Sequence, residues 1–126
     1  MKTCFMTEKG PRAMGPYSTA VIHDNTVYLS GIVPIDPESG GIVQGGIEPQ
    51  ARRVLQNIRI VLGELGLDMA SALKVTVFLR DMNDFGAMNA IYAEYFGPDF
   101  PARSCFQAAR LPLDAAIEIE VIAAHN

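Results

Sequence analysis

The blocks FPARSCFQAARLP and IEIEVIA bring residue types capable of anion binding and proton transfer into one short stretch of chain. Arg103 opens an alternating run directly after Pro101-Ala102, where a side chain can project from a sheet end into a cleft. Its guanidinium is a planar fork that grips a carboxylate through two parallel hydrogen bonds and keeps its charge at any physiological pH. Taken alone, such an arginine more often serves the surface or an ion pair. Glu118 and Glu120 lie two positions apart on one strand face, which sets their stems about 7 Å apart. A carboxylate pair can do acid/base work, as in glycoside hydrolysis, but there the two groups face each other across the substrate. Two glutamates along one strand also suit cation binding at an edge or a subunit contact.

Cys105 shares a strand face with Arg103, whose charge would favour the thiolate. No histidine base stands near it in sequence, and a buried, inert cysteine is the default. Tyr17 follows the Met14-Gly15-Pro16 turn, where its hydroxyl can reach a substrate or close a loop. Gly40-Gly41 and Gly45-Gly46 match neither glycine-rich phosphate pattern and read as turns.

The elements that must carry these residues follow from periodicity. Residues 17–22 and 26–31 are short β-like runs joined by His23-Asp24-Asn25, which predicts a hairpin. The following stretch, rich in Pro and Gly, predicts a loop with one edge-strand fragment near Gly41–Gln44. Ala51, Val54, Leu55, Ile58, Val61, Leu62 and Leu65 mark an amphipathic helix over 47–65, with Pro49 in its first turn and Gly66 past its end. Residues 73–80 alternate, with Leu73, Val75, Val77 and Leu79 on one face. A second helix is predicted from Asn83 as N-cap to a stop at Gly97-Pro98, and two strands follow over 103–109 and 116–124. The order predicts an α+β fold, with both helices covering one face of a mixed sheet. If Ile117, Ile119 and Val121 face the helices, Glu118, Glu120 and Ile122 face the other way. An open face carrying apolar residues among isolated charges invites a partner subunit.

Composition narrows the function classes. The 126 residues carry 10 Lys+Arg against 14 Asp+Glu, a formal charge of −4, and form no basic cluster of the kind that draws nucleic acid. Two distant cysteines, Cys4 and Cys105, and two histidines, His23 and His125, make neither a disulfide framework nor a zinc site. With Glu8 and Lys9 near the start and no apolar run of about 18 residues, the chain reads as one soluble, unprocessed, cytoplasmic domain with no metal and no membrane partner.

In order and spacing, MGPYSTAV, VYLSG, VFLRDMNDFGAMNAIYAEYF, FPARSCFQAARLP and IEIEVIA resemble the reactive intermediate deaminase family (RidA, also called YjgF), from about Gly15 to Ala123. The resemblance implies a chorismate-mutase-like α+β fold assembled as a homotrimer, with sites in the clefts between subunits. It implies that Arg103 binds the substrate carboxylate beside Cys105, whose backbone lines the pocket, and that Glu118 positions or activates water. Tyr17 and Ser30-Gly31 would form the site wall, with Asn89 nearby. Many members carry Gln where Ile32 stands, so the resemblance leaves the pocket's detailed shape open. The implied reaction is cofactor-free hydrolysis of 2-imino acids, the tautomers of 2-aminoacrylate and 2-aminocrotonate, to 2-oxo acids and ammonia. Two other readings stand beside it. One is a regulatory trimer that binds 2-oxo acids without turnover. The other is an endoribonuclease or translation inhibitor, which the acidic chain and the placing of its histidines disfavour.

Overall fold

The computed structural model describes residues 1–125, and its hairpin shows how local chemistry sets the frame. Strands β2 (Ala20–His23) and β3 (Thr26–Leu29) pair antiparallel with His23 opposite Thr26, leaving Asp24-Asn25 as a two-residue turn. Asp24 adopts φ 52°, a left-handed conformation that aspartate tolerates better than most residues. Residues 17–19, read from sequence as strand, are irregular. The Tyr17 amide is spent on Gly15 O at 2.9 Å and cannot join a ladder.

Together with β1 (Thr3–Phe5), β4 (Ala72–Leu79), β5 (Ala102–Gln107) and β6 (Ile117–Ala124), the hairpin forms one six-stranded sheet, ordered β1-β2-β3-β6-β4-β5. Among the described residues only the β4/β5 pair is parallel, and a helix supplies the crossover that a parallel pair needs. The short edge strand β1 carries no alternation long enough to read from sequence. The fragment expected near Gly41–Gln44 is a single bridge between Ile35 and Ile42.

Helix α1 (Ile47–Glu64) buries Ala51, Val54, Leu55, Ile58, Val61 and Leu62 completely, the stripe its spacing predicts. Gly66 follows at φ 75°, a C-terminal position that favours glycine. Helix α2 (Phe85–Phe96) adds Met88, Ile91, Tyr92 and Phe96 to the same core. Its entry differs from expectation. Asp81, not Asn83, caps the preceding 3-10 turn Met82–Asp84, its carboxylate accepting the Asn83 amide at 2.9 Å.

The helix-facing side of the sheet contributes Val27, Leu29, Val75, Val77, Leu79, Ile117, Ile119 and Val121. Leu73, expected in this row, is instead 52% exposed. A register shift between Ala72 and Lys74 puts Ala72 inside and breaks the alternation at that point. Two buried polar side chains of α1 brace the loop after β3 and the segment entering β6. Asn57 donates to Val33 O and Ile35 O at 3.1 and 2.8 Å, and Gln50 accepts the Ala116 amide at 2.7 Å. No helix among the described residues is long and apolar enough to cross a membrane.

Candidate functional site

The alternation along β6 sends Ile117, Ile119 and Val121 inward and turns Glu118 and Glu120 to the open face. Glu118 does not stand clear of the protein. Residues Ser30–Val33 are strapped across it by reciprocal amide bonds between Ile32 and Ile119, at 2.7 and 3.0 Å. An open cavity of about 540 Å³ results, lined by Met14, Tyr17, Ser30, Gly31, Val33, Pro112, Glu118 and Glu120. Burial pushes the Glu118 carboxyl above the usual carboxylate range, and repulsion from Glu120 adds to the rise. The Tyr17 hydroxyl accepts the Met14 amide at 3.1 Å, which leaves its own proton free to donate. Ser30 Oγ is occupied, donating to Ser18 O at 2.6 Å.

Arg103 lies on the other face. It stands in register with Val75, and Glu118 with Phe78, three residues along the same strand. Period-2 alternation therefore puts the two side chains on opposite sides of the sheet. Arg103 looks toward α2, into a second cavity of about 260 Å³ lined by Asn89, Tyr92, Ala93, Phe100, Pro101 and Arg103. The guanidinium makes no ion pair among the described residues. The Asn89 amide oxygen beside it is buried and has no hydrogen-bond partner among the described residues. A fixed cation with no acidic partner is a place prepared for an anion, and the Asn89 oxygen beside it can only accept from a donor.

Glu118, Tyr17, Ser30 and Gly31 thus come together, as do Arg103 and Asn89, but one chain does not join the two groups. Cys105 lines neither cavity; it packs against the hydrophobic core. Burial raises its thiol pKa, and the opposing pull of Arg103 is smaller, so the expected thiolate is not favoured. Neither His23 nor His125 lines either cavity, and His23 faces Asp24 at the hairpin turn, 3.5 Å away.

A family model described as Endoribonuclease L-PSP matches residues 7–125. The chain belongs to that family. It is similar to a RutC family protein of Pyrococcus horikoshii, at 49% identity over 98% of both chains. It is also similar to the human 2-iminobutanoate/2-iminopropanoate deaminase, at 46% identity over 93% of this chain and 85% of the relative. Among solved structures, E. coli TdcF with bound serine superposes with a TM-score of 0.92 at 37% identity, covering 98% of this chain and 99% of that one. The L-PSP family is thus the reactive intermediate deaminase family that the sequence resembles, and the α+β sheet with two helices agrees with it.

Several lining residues of this L-PSP protein escaped the sequence reading. Tyr92 looked like ordinary helix core, yet it follows Asn89 by three positions and shares its helix face, a spacing that was available as a signal. Met14 from a loop and Pro112 from the short 3-10 turn Pro112–Asp114 reach the Glu118 cavity, where no periodicity points to them.

Proposed function

We propose that this protein hydrolyses 2-imino acids to 2-oxo acids and ammonia, as a homotrimer whose sites each join the Arg103 cavity of one subunit to the Glu118 cavity of the next. The carrying observation is the separation of an unpaired guanidinium and a carboxyl of raised pKa onto opposite faces of one sheet. Half-sites on opposite faces of one sheet do not share a single isologous patch, so they meet through a head-to-tail contact, which forms a ring where the rotation closes. The open sheet face supports the contact, since Tyr28 and Phe106 are about half exposed there and Phe106 meets Phe78 edge to face at 5.0 Å.

In this reading Arg103 holds the substrate carboxylate and Asn89 lines the same pocket. Glu118 takes a proton from water as its oxygen adds to C2 of the imine. The tetrahedral adduct of the protonated imine then receives that proton on nitrogen from Glu118; the hydroxyl oxygen closes the C=O bond as the C–N bond breaks with its electron pair leaving on nitrogen, ammonia departs, and the hydroxyl proton passes to the Glu118 carboxylate and from there to solvent. Tyr17 donates a hydrogen bond within the site. A carboxyl raised toward neutrality serves both proton transfers better than an ordinary one. The imine carbon is already electrophilic, so the scheme needs no metal or cofactor. The name of the human relative and the serine held by TdcF, itself an amino acid with a carboxylate beside a nitrogen-bearing carbon, support this substrate class.

The test is ammonia release from freshly generated 2-aminocrotonate, with light scattering for the assembly. Release above the uncatalysed rate by a particle of three chains is expected. A monomer, or release no faster than in buffer, overturns the reading. The same assay separates turnover from binding without reaction, a regulatory role for which Glu118 would be unnecessary.

A further inference from the structure

Arg103 carries a full charge in a half-buried position, and its neighbours are aromatic and soft instead of acidic. The guanidinium carbon lies 4.8 Å from the centre of the Tyr92 ring and 5.5 Å from that of Phe85, with Nη1 4.0 Å from Met88 Sδ. Phe85, Met88 and Tyr92 recur at helical spacing, so one face of α2 supplies the whole bed. Tyr92 is 4% exposed, and its hydroxyl oxygen is buried without a partner. What Tyr92 offers its surroundings is the face of its ring.

We propose that Tyr92, assisted by Phe85, is a positioning residue that presets Arg103 for an incoming carboxylate. An acidic side chain would orient the guanidinium too, but it would neutralise the charge and compete with the substrate. An aromatic face attracts the cation through its quadrupole and leaves the N–H fork unspent. The aromatic bed thus explains how a half-buried arginine is held in place with no carboxylate beside it. The inference rests on the anchoring role given to Arg103, and its test keeps the two apart.

The measurement is calorimetric titration of the purified full chain with 2-oxobutanoate, alongside kcat and KM for imine hydrolysis. Tyr92→Leu is expected to weaken 2-oxobutanoate binding about tenfold and to raise KM in step, with little change in kcat. Tyr92→Phe, which keeps the ring and loses only an unpartnered hydroxyl, should rescue the affinity. Phe85→Leu, at a partly exposed position where folding is not at risk, should weaken binding about threefold. Wild-type affinity in Tyr92→Leu, or a Tyr92→Phe variant as weak as Tyr92→Leu, overturns the inference. Should Tyr92→Leu fail to fold, an unchanged affinity in Phe85→Leu overturns it by itself. A wild-type protein that binds no 2-oxobutanoate removes the anchoring role of Arg103, and the inference goes with it.

Discussion

A Cβ on Gly31 would lie 2.9 Å from Glu118 Cδ and closer still to its Oε2, so the glycine leaves open the space in which the carboxylate rests. Gly31 does not have a positive φ, and its backbone could be adopted by alanine. The glycine is needed for room, not for conformation. Because the crowded atoms are the far end of a flexible side chain, an added methyl would move the carboxylate before it moved the sheet.

Gly31→Ala should therefore fold normally and lose activity. The expected loss is about a hundredfold in kcat, the scale of a displaced general base, with a thermal midpoint close to wild type. Ammonia-release kinetics beside a melting curve read both. Unchanged turnover would show that the present placing of Glu118 is not the working one.

The pH profile tests the environment of Glu118. Burial first, and Glu120 second, raise its pKa, so the acidic limb of kcat/KM should lie above the usual carboxylate range. Glu120→Gln removes the repulsion, lowers the Glu118 pKa and moves that limb to lower pH. A group whose folded pKa exceeds its unfolded value contributes stability below the unfolded pKa and loses it as pH rises through the folded one. Glu118→Gln should consequently raise the melting temperature at neutral pH while suppressing turnover. A limb that stays put in Glu120→Gln would assign it to another group.

Arg103→Ala should lower kcat/KM by at least about a hundredfold, since charge-assisted hydrogen bonds are typically worth 1.5–3 kcal/mol each. Arg103→Lys should recover little, because an ammonium cannot reproduce the fork. Light scattering should give wild-type mass for both. Full activity in either variant would remove the carboxylate anchor.

At the end of α1, Glu64 clamps the N-terminal arm that leads to Tyr17. It accepts the Thr7 hydroxyl and the amides of Glu8 and Lys9, the last two at 2.9 and 3.2 Å. Burial alone would raise its pKa, but these bonds together with the Lys9 charge hold it below the usual value. The stabilisation is therefore present above the unfolded carboxylate pKa and is lost as pH falls through the folded one. Glu64→Ala should cost about 1 kcal/mol at pH 7, after discounting for solvent screening, and clearly less at a pH below both values, where only neutral hydrogen bonds remain. Denaturant titrations at two pH values give the comparison; an equal cost at both would deny the clamp its charge.

Much of this protein is local in origin and was legible in the sequence. The 3.6-residue stripe from Ala51 to Leu62 and the alternation of Ile117, Ile119 and Val121 each need only a water-excluding neighbour on one side. They specified the buried face of α1, a strand with one covered side, and the side to which Glu118 turns. The exceptions were places where a local rule met a competing bond or shift. The Tyr17 amide was taken by Gly15, the alternation slipped at Leu73, and Asp81 displaced Asn83 as the cap. The partition of the candidate site was not legible in this way. Only strand register puts Arg103 beside Val75 and Glu118 beside Phe78, and so on opposite faces. Only packing lays Tyr92 beneath the guanidinium and Gly31 against the carboxylate. Residue type and spacing determined which groups could do the chemistry. Long-range pairing decided which of them meet, because a side chain's direction follows from its own strand but its company follows from the strands and helices packed around it.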